Sequence, residues 1–233
     1  MRHLLFQISA LMASFGNEGA RMERPTDTHP RKSMILGFLG AALGLGRSDP
    51  WFARTGLHMA TAQLRLGDPL SDYHTVATPP GKEKYMTRAE EVLDSSYTVE
   101  TYRDYVTDYY GLVAIWANEP PISLERLKEA LEAPVFELFV GRKCNTLSLP
   151  PAPRILEAAT LVEAFQKYDL VYTPLFNEGE VPIRWEEHPS PGLEATFQTN
   201  RMDDRLGLRQ YGMRREYSGS TKLVFVKEAP SCT

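Results

Sequence analysis

The chain has 233 residues, 42% hydrophobic and 24% charged, the balance of a globular protein with core enough for one large domain or two small ones. Its two cysteines, Cys144 and Cys232, form no Cys-x-x-Cys pair and no Cys/His cluster, which argues against a disulfide framework and a structural zinc and fits a reducing cytoplasm. The net charge of −4 is unevenly spread: residues 1–60 and 199–228 each carry seven Lys/Arg against four Asp/Glu, while 61–198 carry twelve against twenty-two. Basic ends flanking an acidic middle give one face for phosphates and another for protein partners, unless the charges are simply scattered over the surface.

Residues 1–16 join a basic start to an apolar run, as a leader would, but Gln7 and Ser9 alternate with apolar neighbours and no small-x-small cleavage site follows. They read as a first strand over 4–10. A loop then runs through Gly16 and Gly19 to Pro30. Ser33 is the expected N-cap of a helix over 34–45 closed by Gly46, too short to span a bilayer, which takes about 20 apolar residues. Arg24, Arg31 and Lys32, with Thr26, stand just ahead of that helix, whose free N–H groups and positive end favour anions. They form a candidate phosphate clamp, the plain alternative being a solvated basic loop. Gly37, Gly40 and Gly44 recur at near-helical spacing, most simply for close packing against a sheet. Neither GxGxxG after a strand nor GxxxxGK[ST] occurs, which disfavours a Rossmann or P-loop site.

Residues 58–66 alternate and read as a second strand, with a turn at Gly67-Asp68-Pro69. Asp72-Tyr73-His74-Thr75-Val76 offers a ring for stacking on a base and an imidazole with acid–base chemistry, or merely a hydrogen-bonded turn. Residues 77–98 are polar, open with Pro79-Pro80-Gly81, and read as an exposed hairpin arm. Just past them, Tyr102-Arg103-Asp104-Tyr105 sets a cation between two rings, suited to RNA stacking or to a packed hairpin base. A buried strand over 109–117 stops before Pro120-Pro121. Ser123 caps a helix with Leu124, Leu127 and Leu131 on one stripe, ending before Pro134. Residues 135–140 read as another strand, running into Gly141-Arg142-Lys143-Cys144-Asn145, a cationic turn able to grip one or two phosphates.

The order strand, helix, strand, arm, strand, helix, strand is that of an α+β ferredoxin-like or RRM-like βαββαβ domain over 1–150, with an insertion in its central hairpin. Residues 151–233 form a smaller, irregular β-rich part, with a helix over 155–165 and strands over 170–176, 181–185 and 221–227. Arg201, Arg205, Arg209, Arg214 and Arg215, interleaved with Tyr211 and Tyr217, make an RNA-like footprint. The acidic run Glu178, Glu180, Glu186 and Glu187 faces solvent or a basic neighbour. No paired-carboxylate, metal-ligand or protease-type motif appears, so no catalytic residue, metal or cofactor is expected.

Six segments, taken in order, resemble the CasD family, the Cas-five subunits of type I-E CRISPR Cascade complexes. They are Arg24-Pro25-Thr26, Pro30-Arg31-Lys32-Ser33, the glycine helix from Leu36 to Gly44, Asp72 to Val76, Tyr102 to Tyr105, and Gly141 to Cys144. Phe15 stands where the family usually has Trp. The resemblance implies an RRM-like RAMP fold with 77–98 as a thumb. It implies cytoplasmic RNA binding through Arg24, Thr26, Arg31, Lys32, Ser33, Tyr73, His74, Arg103, Tyr105, Arg142, Lys143, Cys144 and Asn145. Its implied partners are the 5′ handle of the guide crRNA and the backbone and large subunits, with target DNA met only through the complex and no membrane. A non-catalytic role in antiviral defence follows, since a separate type I-E subunit cuts the precursor. The alternative is a metal-independent endoribonuclease of the type I-C kind, whose pattern has a Tyr in the first loop and a later Lys-His pair. Residues 22–33 hold no Tyr, and Lys-His occurs nowhere. A generic RNA-binding module would explain the basic patches but not the ordered segments.

Overall fold

The computed structural model describes residues 1–17, 22–78, 97–171, 179–207 and 210–225. Nine strands form one sheet: β1 (Arg2–Ala13), β2 (Glu23–Arg24), β3 (His58–Arg65), β4 (Asp68–Thr78), β5 (Tyr97–Trp116), β6 (Arg154–Glu157), β7 (Glu180–Trp185), β8 (Phe197–Gly207) and β9 (Gln210–Lys222). The path is β6-β1-β5-β3-β7-β9-β8, antiparallel at every step, with β4 and the short β2 also pairing with β5, β2 in parallel. Among the described residues, three α-helices cover it: α1 (Lys32–Leu43), α2 (Leu124–Glu132) and α3 (Leu161–Gln166).

The alternation along β1 explains the layering. Leu4, Phe6 and Ile8 face a core shared with Ile35, Leu39, Leu127 and Leu131 of α1 and α2. Leu5 faces a second core built with Leu161 and Phe165 of α3. Both faces of the sheet are covered, so the polar alternants are buried too. Gln7 is sealed by giving a 2.7 Å bond to the Pro150 carbonyl and accepting one of 3.0 Å from the Tyr110 hydroxyl.

Five assignments change. The helix over 34–45 is α1, but its N-cap is Arg31, which makes no side-chain cap bond, and not Ser33. It closes at Gly44 (φ 77°), not Gly46, with Leu45 N–H bonded to the Gly40 carbonyl. Residues 135–140 are no strand. The amides of Val135 and Phe136 donate to the carbonyls of Ala42 and Ala41, filling acceptors that the end of α1 leaves open. The edge strand beside β1 is instead Arg154–Glu157, at the start of the expected helix over 155–165, which is thereby cut down to α3. Thr160 Oγ1 accepts from Glu163 N–H and Glu163 returns a bond to Ala159 N–H, a capping exchange that fixes where α3 starts. Residues 170 and 171 are not in a strand, and 172–178 lie outside the described residues.

The arm begins earlier than its composition implies. β4 and β5 pair from Asp68↔Thr107 to Thr78↔Tyr97, a ribbon of about 35 Å at the usual rise per residue. Residues 79–96 lie outside the described residues.

Candidate nucleic-acid interface

An open cleft of about 1220 Å³ lies beside α1. Its lining brings together Arg24, Ser33, Arg142 and Lys143 from the expected set, and adds Arg47, Arg205 and Tyr211. Ser33, Gly37 and Ala41 contribute one face of α1. A Cβ on Gly37 would meet nothing within 4 Å, whereas one on Gly40 would stand 2.4 Å from the Phe52 ring. Close packing thus explains Gly40 and leaves Gly37 facing open space.

The Gly141–Asn145 turn is clamped to the end of β1. Ser14 N–H donates to Val140 O, and a Cβ at Gly141 (φ 86°) would stand 1.7 Å from Ser14 O, so only glycine fits. Asn145 is a pin of this turn and not an exposed ligand group: it is buried and donates to Val140 O at 3.0 Å. Arg142 lays its guanidinium 4.2 Å from the centroid of the Tyr105 ring and donates to the Arg24 carbonyl at 2.9 Å. Tyr105 is therefore buried beneath Arg142 and does not stack on solvent-exposed bases. Cys144 and Lys143 are exposed.

The loop ahead of α1 differs most from expectation. Lys32 is buried, with Nζ 3.0 Å from Asp204 and 3.1 Å from Glu186. Arg31 pairs with Asp27 at 3.4 Å and donates to Asn17 at 2.5 Å. Thr26 Oγ1 accepts from Phe15 N–H and anchors the loop. The Lys32 amide donates to Asp203 at 2.9 Å, so a carboxylate from β8 sits where an anion was expected at the helix end. Asp203 also accepts two bonds from Arg214, and Arg214 and Arg201 both reach Glu216. His29, fully buried, holds one ring nitrogen 2.9 Å from Asp27 and the other 3.5 Å from Glu216.

This ion network docks the β8–β9 hairpin on α1. Burial opposes charge on Asp27, yet the bond from His29 and the nearby Arg201 hold its carboxyl well below the usual range. Glu216 is depressed likewise, against its own desolvation, by His29 and Arg214. Arg214 is raised despite burial, because Asp203, Glu186 and Glu216 surround it. The five spaced arginines are accordingly no single footprint: Arg201 and Arg214 are neutralised internally, and Arg209 lies outside the described residues. Glu186, expected to face solvent or a basic neighbour, is buried in the same network against Lys32 and Arg214; Glu178 lies outside the described residues.

The arm carries the other predicted residues. Tyr73 is half exposed and lies 5.3 Å from Tyr102, ring to ring. His74 bonds to Asp72. Arg103 has no carboxylate partner among the described residues, leaves its buried Nε without a hydrogen bond, and is the register partner of Arg24 across β2 and β5. Two arginines side by side repel unless an anion lies near.

The profile of the family described as CRISPR-associated protein (Cas_Cas5) matches residues 3–218. The chain belongs to this Cas5 family. Among curated relatives, "CRISPR system Cascade subunit CasD" of Escherichia coli (strain K12) is 26% identical over 191 residues, 77% of this chain and 82% of that one. The Cas5 fold is matched in a "CRISPR RNA-guided surveillance complex" chain with TM-score 0.68 and 23% identity, over 95% of this chain and 90% of that one. A "Crystal structure of Cas protein" matches with TM-score 0.63 and 23% identity, over 98% and 99%. The mostly antiparallel sheet with few helices is that RAMP-like fold. Among the described residues, no three or more His, Cys, Asp or Glu are grouped to hold a metal, and no helix is long and apolar enough to cross a membrane.

Proposed function

We propose that this chain is the subunit of a Cascade-type, RNA-guided surveillance complex that binds and caps the 5′ handle of the crRNA without cutting it, in the cytoplasm, beside the backbone and large subunits. Family membership and the named relatives support the assembly. One observation supports the RNA site: Arg24, Arg142 and Lys143 line a single cleft with no carboxylate partner among the described residues, while the cations nearer the helix end are neutralised. Unpaired arginines on a groove are what a phosphate backbone requires.

The strand order β6-β1-β5-β3, with α1 and α2 on one face, supports a ferredoxin-like βαββαβ domain whose last strand, β6, lies just past the expected boundary at residue 150, with the residues after it as a β-rich extension. In this reading the β4–β5 arm is the thumb, with Tyr73, Tyr102 and Arg103 as its RNA-facing side chains. Deleting 82–96 then leaves the subunit folded but impairs its assembly; normal assembly of that variant would count against a thumb.

The capping role is tested by co-expressing the chain with repeat-containing precursor RNA, purifying without metal, and sequencing the RNA ends. A bound, uncut repeat fragment is expected. Specific cuts within the repeat would instead establish the endoribonuclease alternative, for which His74 and Asp72 are the only bonded His–carboxylate pair on the arm among the described residues.

A further inference from the structure

We infer that Arg47 and Arg205 form a second phosphate-binding group on the same cleft, so that a single strand is held at two places over the α1 face around Gly37. The inference rests on the RNA-binding reading above and deepens it. It assigns a contact role to the C-terminal hairpin and names the ligand as an unpaired, flexible strand, not a lone phosphate captured at one loop.

The same device occurs twice on the cleft. In the first group, the Arg142 guanidinium lies over Tyr105 and donates to the main-chain carbonyl of Arg24. In the second, the Arg205 guanidinium lies 3.8 Å from the centroid of the Phe52 ring and donates to the main-chain carbonyl of Arg47. An aromatic face and a carbonyl oxygen fix the direction of a guanidinium without cancelling its charge. Each pair therefore keeps one guanidinium oriented and un-neutralised, with a second arginine that has no carboxylate partner among the described residues beside it on the lining. All four arginines line the cleft, with Lys143, and none has a carboxylate partner among the described residues; Glu23 and Glu137 share the lining unpaired with them.

The contrast with the neighbouring cations is what gives this weight. Arg201 and Arg214, on the same hairpin as Arg205, are tied to Glu216 and Asp203. Asp203 and Asp204 reach Lys32 of α1 from the same strand, which sets the hairpin, and so Arg205, against the helix. The lining of the same cleft includes Gly37, where no atom lies within 4 Å of a would-be Cβ, leaving room for a sugar or base.

The test measures affinity of the full-length chain for a labelled single-stranded RNA of the handle sequence across a salt series. Arg24→Ala, Arg142→Ala, Arg47→Ala and Arg205→Ala are compared with the parent. Each lost phosphate contact on a single strand makes the slope of log affinity against log salt shallower by about 0.7. Severalfold weaker binding and that change of slope in all four variants is the expected result. Arg47→Ala matters most, because its side chain makes no hydrogen bond or ion pair among the described residues and its loss leaves the fold unchanged. Weakening in Arg24→Ala and Arg142→Ala but an unchanged affinity and slope in Arg47→Ala and Arg205→Ala would overturn the second group and leave the RNA-binding reading standing. No change in any of the four would overturn that reading and this inference together.

Discussion

Two glycines one turn apart on α1 should respond to the same substitution in opposite directions. A glycine inside a helix costs about 0.5–1 kcal/mol relative to alanine, because its backbone loses more freedom on folding. At Gly37 the added methyl meets nothing within 4 Å, so Gly37→Ala should recover that amount. In a chain of this size it raises Tm by about 2–4 °C per kcal/mol. At Gly40 the methyl would stand 2.4 Å from Cζ and 2.7 Å from Cε1 of Phe52. That ring has little room to yield: it is 5% exposed, edge-on to Trp51, and covered by Arg205. Overpacking of this kind costs about 1–3 kcal/mol, so Gly40→Ala should be destabilising by about 0.5–2 kcal/mol after the helix gain is subtracted. Urea denaturation of the two variants beside the parent measures both values. If Gly40→Ala is as stable as Gly37→Ala, Phe52 moves freely and the packing argument for this corner is wrong.

Asp203→Ala removes the acceptor of the Lys32 amide and of two Arg214 bonds inside a buried network, and should cost about 3–5 kcal/mol in urea denaturation; a loss below about 1 kcal/mol would mean that water or a neighbouring carboxylate replaces it. His3 is buried against His188, their Nε2 atoms 3.0 Å apart, and burial followed by the His188 charge lowers its pKa to about 4. A histidine lowered from 6.5 favours the folded state fully above pH 6.5 and loses that contribution, about 3 kcal/mol, as pH falls toward 4. His3→Leu should flatten the stability profile across that window. It should leave intact the further loss below about pH 4, where the carboxyls of Asp27 and Glu216 take up protons in the unfolded chain but, held well below the usual range, stay charged in the folded one. An unchanged profile between pH 6.5 and 4 in His3→Leu would rule out His3 as its source.

The periodic elements were legible because each is amphipathic on its own terms. The first strand, the alternating strand at 58–65 and the Ser123-capped helix fall where alternation and capping place them. Errors gather where one segment's backbone needs are met by a distant one. The N-terminal amide of α1 is bonded by Asp203, 171 residues away, so no local cap marks Arg31. An apolar run at 135–140 looks like a strand, yet its first amides close the other end of α1. One signal was readable and missed: Thr160 and Glu163 stand at capping-box spacing and separate the edge strand from α3. Arg205 belonged to the expected arginine–tyrosine footprint, but nothing in the sequence set it apart from Arg201 and Arg214, which are neutralised. Arg47 carried no signal of its own, and only the fold brings it and Arg205 to one cleft.

Counting cations could not have found that cleft, because charge near α1 is of two kinds that sequence does not distinguish. Lys32 was expected in the phosphate clamp ahead of the glycine helix, yet it opens α1 and is spent on Glu186 and Asp204. Arg24, in the same loop, has no such partner among the described residues and lines the cleft. The two substitutions should therefore separate stability from affinity. Lys32→Met removes a buried cation from between Glu186, which keeps Arg214 at 3.4 Å, and the partly exposed Asp204, and should cost up to about 3 kcal/mol of folding stability, the low end for a broken buried pair, while leaving the salt slope of RNA binding where it was. Arg24→Ala should leave the urea midpoint nearly unmoved and make that slope shallower by about 0.7. If Lys32→Met instead makes the slope shallower at unchanged stability, the buried network opens in solution and Lys32 is a phosphate ligand after all.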